Sequence, residues 1–229
     1  MKILKNAGSF IILTPKEFLR DQLLMIERAG RTCYQSEKGE ITFETATKFA
    51  RMLLRRGHES VIEHSSMTVQ FNNLSRGFTH EQVRHRLTAI SQESTRYVDE
   101  SNLLFVMPPH RDEVTKIDLL DGRVMSSTEM VQEIEIYYRA LIRAGWMPED
   151  ARQFVPTGVK SQIVITANFR EWRHIFFMRT TRVAHWEIRR VMCNLVEEIQ
   201  EIVPVIFDDF VEAGKDHNGL RYFEQKNSE

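Results

Sequence analysis

After Thr14-Pro15, apolar residues recur at helical spacing. Phe18, Leu19, Leu23 and Ile26 share a face of a 3.6-period helix. A second helix is predicted from about Phe43 to Leu54, with Gly57 as its stop. The period then changes. In residues 66–72, Met67, Val69 and Phe71 alternate with Thr68, Gln70 and Asn72, the pattern of a half-buried strand. Ser75 is placed to cap a helix reaching about Arg86. The Pro-rich, charged stretch 108–125 reads as a surface connection. Met130, Ile134, Tyr137 and Leu141 predict a long amphipathic helix ending near Gly145, and residues 149–155 a short helix stopped by Pro156. Residues 161–168 alternate again, with Ile163, Ile165 and Ala167 on one face. Asn168 suits a helix start, and Glu171 three residues on completes a capping-box pattern. A last long helix carries Ile188, Met192, Leu195, Ile199 and Ile202 along one stripe. The polar tail 215–229 is expected to be loose.

Many helices and few strands, without the βαβ rhythm, predict an α+β chain with a small antiparallel sheet flanked by long helices. The chain has 229 residues, enough for one domain of generous size or two small ones. Apolar residues make up 42 % and the formal net charge is −1, which argues against a general nucleic-acid binder. Local charge changes that picture: arginines gather around 76–96 and 170–190, and guanidinium forks suit phosphate. The only cysteines, Cys33 and Cys193, permit no disulfide framework and read as packing residues in a reducing cytoplasm. The apolar run Phe10–Leu13 is too brief for a signal-peptide core. No segment approaches the roughly 20 apolar residues a membrane span needs. Neither GxGxxG nor a P-loop occurs, so a nucleotide would have to be held by arginines and helix ends.

Three polar clusters could carry chemistry. Arg84-His85-Arg86 is followed after seven residues by Ser94-Thr95-Arg96-Tyr97, and the intervening Gln92 and Glu93 add groups suited to a phosphate and a pyrimidine edge. Arg84 and Arg86 would stand roughly 200° apart on a helix, so they either converge at a fraying helix end or serve two ligands. The competing explanation is a solvated helix end with a polar loop. The second cluster, His58 to His64 with Glu59 and Glu63, lacks HExxH spacing and a third ligand, which disfavours a metal. The third, Asn168, Arg170 and His174, opens a helix whose N-terminal dipole favours anions. Arg179 lies roughly 140° from His174 around that helix and is expected to face a different partner. A nucleotide-binding regulatory module, a nucleic-acid binder and a metallohydrolase stay open as alternatives on spacing alone.

The string RHRLTAISQESTRY resembles the RHR-x7-S signature of the flavin-dependent thymidylate synthases (the ThyX family). His58-Glu59 through Glu63-His64, Ala151-Arg152 before Pro156, and Asn168-x-Arg170 with His174, Arg179 and His185–Ile188 resemble further blocks of that family, so the likeness covers about residues 31–205. The resemblance implies one domain over 1–229, a cytoplasmic homotetramer with active sites shared between subunits, and no nucleic-acid or membrane partner. It also implies reductive methylation of dUMP to dTMP, with FAD as cofactor and NADPH and methylenetetrahydrofolate as co-substrates. By the same resemblance Ser60, Arg84, His85, Arg86, Gln92, Asn168, Arg170 and His174 hold FAD. Glu81, Gln82, Val83, Arg84, Gln92, Glu93, Ser94, Thr95, Arg96, Arg152 and Arg179 hold dUMP, and no metal is implied. Arg179 matches the residue that favours ionisation at uracil N3, as a guanidinium beside that nitrogen would. Ser94 is assigned to binding, since no general base is placed to activate it. The sequence departs from the family pattern at Ala89, where Ser is common, at His174, where Asn is frequent, and at Cys33, where a small hydroxyl residue often sits.

Overall fold

A computed structural model describes residues 2–33, 35–36, 39–96 and 102–226. The chain divides into two compact units. One is drawn from Met1–Ser9, Phe71–Arg84 and Ser91–Ile163, the other from Phe10–Gln70, His85–Ile90 and Val164–Glu229.

The first unit begins with β1 (Lys2–Lys5), which pairs in parallel with β5 (Leu104–Met107), Lys2 opposite Leu104. The second half of β3 (Met67–Ser75) and the first half of β8 (Lys160–Ala167) belong here, with the end of β4 (Ala89–Gln92) beyond β8. Ser75 caps α3 (Arg76–Gln82) by accepting from the Phe78 N–H at 3.1 Å, which satisfies one of the donors a helix start leaves unpaired. The helix stops at Gln82, short of the predicted Arg86, so Arg84-His85-Arg86 lies in a turn.

Residues 108–125 are more than a connection. They contain β6 (Lys116–Asp118), paired antiparallel with β7 (Val124–Ser126). Next comes α4 (Ser127–Arg143), opened by a complete capping box of Ser126 and Glu129. Its buried face is Val131, Glu135, Tyr138 and Leu141. Met130 and Tyr137, expected inside, are exposed at 38 % and 49 %. Burial of Glu135 is made tolerable by Arg139, one turn on at 2.5 Å. The predicted short helix is α5 (Pro148–Ala151) running into a 3₁₀ turn, Arg152–Phe154. Tyr138, Leu141 and Ala151 pack together as a small core with Ile142 and Val155.

The second unit contains β2 (Ser9–Ile12) from Phe10 on, the first half of β3 and the second half of β8. The Leu13 N–H donates to the Thr68 carbonyl at 2.8 Å, and the hydroxyls of Thr68 and Thr166 meet at 2.9 Å. Met67, Val69, Ile165 and Ala167 are buried in alternation, as their pattern predicts. Around them stand α1 (Lys16–Cys33), α2 (Phe43–Arg55), α6 (Phe169–Arg179), α7 (Trp186–Ile202) and α8 (Pro204–Phe207). Phe18 is exposed while Leu19, Leu23 and Ile26 are buried. Trp172 is fully buried and its indole donates to the Met67 carbonyl at 3.0 Å, which satisfies the one polar atom of a large apolar group. The tail departs from expectation: β9 (Phe210–Lys215) and β10 (Arg221–Gln225) form an antiparallel hairpin with Phe210 and Phe223 buried. Residues 227–229 lie outside the described residues.

No helix among the described residues is long and apolar enough to cross a membrane. Cys193 is buried, and burial pushes its thiol up to about 12. Cys33 is exposed, so only one of the two cysteines is a packing residue.

Candidate active site

The fold sorts the candidate residues. All the expected dUMP residues except Arg179 lie in the first unit. All the expected flavin residues lie in the second, except Arg84 and Gln92, which were assigned to both ligands.

In the first unit a cavity of about 340 Å³ is lined by Arg76, His80, Thr95 and Arg152, with Gln153, Val155, Pro156, Thr157 and Val159. Thr95 is buried and its hydroxyl accepts from Arg152 at 3.3 Å, while Arg152 Nε donates to the Glu149 carbonyl at 3.1 Å. The guanidinium is thus aimed before any ligand arrives, which lowers the entropy lost on binding. Arg96 approaches the Glu149 carboxylate at 3.4 Å, and its N–H donates to the Ser94 hydroxyl at 3.3 Å. Gln92 donates to Thr79 at 2.7 Å, and Glu93 is paired with Lys160 at 3.0 Å. Arg76 reaches the Glu93 carbonyl at 3.1 Å, so the strand carrying Gln92 is tied to α3 twice. Glu81 and Val83 sit at the end of α3, half-buried and exposed respectively. Gln82 is fully buried with neither amide atom hydrogen-bonded among the described residues, and such a group costs stability unless something pairs it. Arg84 is exposed in the following turn. Tyr97 lies outside the described residues. Arg76 and His80 were missed by sequence reading. Their i, i+4 spacing behind a Ser N-cap is the signal that could have found them.

The second unit holds a cavity of about 530 Å³, whose lining includes Glu59, Glu63, Leu87, Asn168, Arg170, Glu171, Arg173, His174, Phe177 and Gln225. Asn168 caps α6 by accepting from the Glu171 N–H at 2.8 Å, so its remaining amide NH₂ is a donor on the cavity wall. Arg170 is exposed and pairs with Glu63 at 2.5 Å and Glu59 at 3.8 Å. His174 is exposed on the same wall. Ser60 is exposed in the 3₁₀ turn Glu59–Glu63 but does not line the cavity; its neighbours Glu59 and Glu63 do. Arg86 is exposed and makes no hydrogen bond or ion pair among the described residues. His58 and His64 flank the 3₁₀ turn, both exposed. Among the described residues no group of three or more His, Cys, Asp and Glu could hold a metal ion.

Behind this wall lies a buried relay. His85 accepts at Nε2 from Arg179 Nε at 3.0 Å, and its Nδ1 stands 3.5 Å from Glu171 Oε1. The His174 ring meets the His85 ring edge-on, centroids 5.7 Å apart. Burial, then the charge of Arg179, then His174 push the His85 imidazole down to about 4. Burial raises the Glu171 carboxyl above its usual range, while His174 opposes the shift. His174 and Arg179, expected to face different partners, therefore both meet His85. Arg170 does point elsewhere, to Glu59 and Glu63. Glu171, read in the sequence only as a cap, faces the imidazole instead of closing a capping box.

The donor set of the larger cavity fits a dinucleotide with a flat apolar ring: a guanidinium, an amide NH₂ and an imidazole beside exposed Leu87 and Phe177. The smaller cavity, with Arg76, Arg152 and the Thr95 hydroxyl, fits a small phosphate ester.

The chain is 33 % identical over 196 residues, covering 81 % of this chain and 78 % of the relative, to the flavin-dependent thymidylate synthase of Mycobacterium avium (strain 104). It is 32 % identical over 196 residues to the one from Mycobacterium tuberculosis (strain H37Rv), with the same shares covered. In fold it is similar to PolB, a UMP/dUMP methylase from Streptomyces cacaoi solved with 5-Br dUMP. That likeness has a TM-score of 0.65 at 21 % identity, over 91 % of this chain and 96 % of that one. The model of the family described as thymidylate synthase complementing protein (Thy1) matches residues 17–205. With its signature turn, its two cavities and these relatives, the chain belongs to the family of the flavin-dependent thymidylate synthases.

Proposed function

We propose that this chain methylates dUMP to dTMP, with methylenetetrahydrofolate as carbon donor and NADPH-reduced FAD as hydride source, releasing tetrahydrofolate. The observation that carries the reading is the sorting of side chains: an Arg152–Thr95 pair lines one cavity, and Asn168, Arg170 and His174 line the other with the Arg179–His85–Glu171 relay behind them.

Asn168, Arg170 and His174 hold the flavin nucleotide, with Arg86 free to reach its phosphates. FAD, when bound, supplies the redox chemistry, which no side chain of this protein can perform. Arg152 and Arg96 grip the nucleotide phosphate, and Thr95 fixes the Arg152 fork. Glu81, Gln82, Gln92 and Ser94 present acceptors and donors to the nucleotide. Gln82 is the most telling of these, since both of its buried amide atoms lack partners among the described residues. Arg179 stabilises negative charge at uracil N3, which enriches C5, where the new carbon attaches. The enzyme works in the cytoplasm as a homotetramer whose active sites draw residues from more than one subunit. The different partners of Arg170, at Glu59 and Glu63, and of Arg179, at His85, support that assembly.

The test is conversion of labelled dUMP in the presence of FAD, NADPH and methylenetetrahydrofolate. Formation of dTMP that stops when FAD is withheld is the expected result. Binding of dUMP without turnover would favour a regulatory module instead.

A further inference from the structure

The C-terminal hairpin supplies part of the larger cavity, and it lies past residue 205, where the family match ends. It is anchored from several sides. The Phe223 N–H donates to the Thr180 carbonyl at 2.9 Å. Arg189 of α7 binds Asp216 in the turn, and Arg221 pairs with Glu197 at 2.5 Å. Buried Phe210 meets the Phe176 ring at 5.9 Å. An element so fixed holds its side chains in defined places.

Asp209 ties together two residues of the cavity lining, Arg173 and Gln225. Its carboxylate takes both arms of the Arg173 guanidinium, at 2.8 and 2.7 Å, and the Gln225 side-chain NH₂ at 2.7 Å. Its carbonyl accepts from the Lys226 N–H at 2.8 Å. A carboxylate only accepts, so the Gln225 amide atom facing it is the nitrogen, which fixes the orientation of the group. The other amide atom, Oε1, makes no hydrogen bond among the described residues, and Gln225 lines the cavity together with Arg170 and His174. An uncharged, pre-oriented acceptor stands at the wall.

We propose that Gln225 is a ligand-contacting residue of the flavin cavity, its Oε1 accepting a hydrogen bond from an N–H or O–H of the bound flavin nucleotide. This rests on the assignment of FAD to that cavity. Asp209 and Arg173 act as positioning residues, holding the amide in register.

The test is titration of FAD into the full-length protein by flavin fluorescence, with four variants. Gln225→Ala and the length-preserving Gln225→Met each raise the FAD Kd about fivefold, the size of one lost neutral hydrogen bond. Glu224→Ala, an exposed neighbour on the same strand, leaves Kd unchanged. Arg170→Ala weakens FAD and so reports the cavity itself. Wild-type Kd in both Gln225 variants, with Arg170→Ala weakened, overturns the role of Gln225 and leaves the cavity assignment standing. Wild-type Kd in the Gln225 and Arg170 variants alike overturns both.

Discussion

Arg179 donates through Nε to Nε2 of His85 across 3.0 Å, and this bond sets the tautomer of the imidazole. An imidazole nitrogen that accepts cannot carry the proton, so the proton of neutral His85 sits on Nδ1, toward Glu171 at 3.5 Å. The guanidinium is held at its inner nitrogen by this bond. Arg179→Ala is expected to leave FAD binding within about twofold and to lower turnover by about 100-fold or more, as loss of a charge-stabilising donor does. Arg179→Lys should recover little, because an ammonium has no forked geometry. Kinetic assay beside FAD titration checks the split; near-normal turnover in Arg179→Ala would remove its proposed role.

The same burial makes His85 a pH-sensitive element of stability. Its imidazole titrates at about 4 in the fold, against 6.5 as the ordinary value, so the unfolded chain takes up a proton first as pH falls. Stability from this group is present above about 6.5 and is lost between about 6.5 and 4, amounting to about 3 kcal/mol at full loss. Denaturant unfolding measured across that range should show the decline. His85→Gln should flatten it, since glutamine keeps a hydrogen-bonding group without the titration.

The proposed sharing of active sites between subunits predicts complementation. Arg152→Ala should raise KM for dUMP by about tenfold or more, as a truncated charge-assisted phosphate contact does, and leave FAD binding intact. Arg170→Ala should do the reverse. If sites draw residues from different subunits, these two impaired variants, dissociated, reassembled together and assayed at dUMP and FAD levels limiting for each alone, should regain part of the wild-type activity. A mixture no more active than its components, with mixed assemblies shown by mass spectrometry, would place each site within one subunit.

Much of this was legible in the chain itself, and the failures share a cause. Met67, Val69 and Phe71, like Ile163, Ile165 and Ala167, face one way and are buried, so period 2 gave both strands directly. The stripe of α4 was misplaced because Glu135 occupies a core-facing position, neutralised by Arg139; a polar residue there erases the apolar period. The stretch 215–229 reads as a loose tail because much of what fixes it is ionic and distant in sequence: Arg189 holds Asp216 and Glu197 holds Arg221, while Phe223 is its one buried large apolar residue among the described residues. In the site, spacing and helix-start chemistry single out Asn168, Arg170, His174 and Thr95, the resemblance adds their ligand roles and Arg152, and the fold places all five on cavity walls. Glu171, Arg173, Arg76, His80 and Gln225 carry no motif. They join the sites through contacts distant in sequence, such as Arg173 with Asp209 and Glu171 with His85.

The central claim is that one chain carries both a flavin site and a dUMP site that act in one reaction. Its most direct test is anaerobic. Protein loaded with FAD is bleached with NADPH, separated from excess reductant, and given dUMP and methylenetetrahydrofolate while flavin absorbance and dTMP are followed. The account predicts that the flavin colour returns and dTMP appears in equal amount, and that Arg179→Ala does neither at a comparable rate. Flavin that stays bleached with no dTMP formed, in wild-type protein shown to bind both FAD and dUMP, would contradict it.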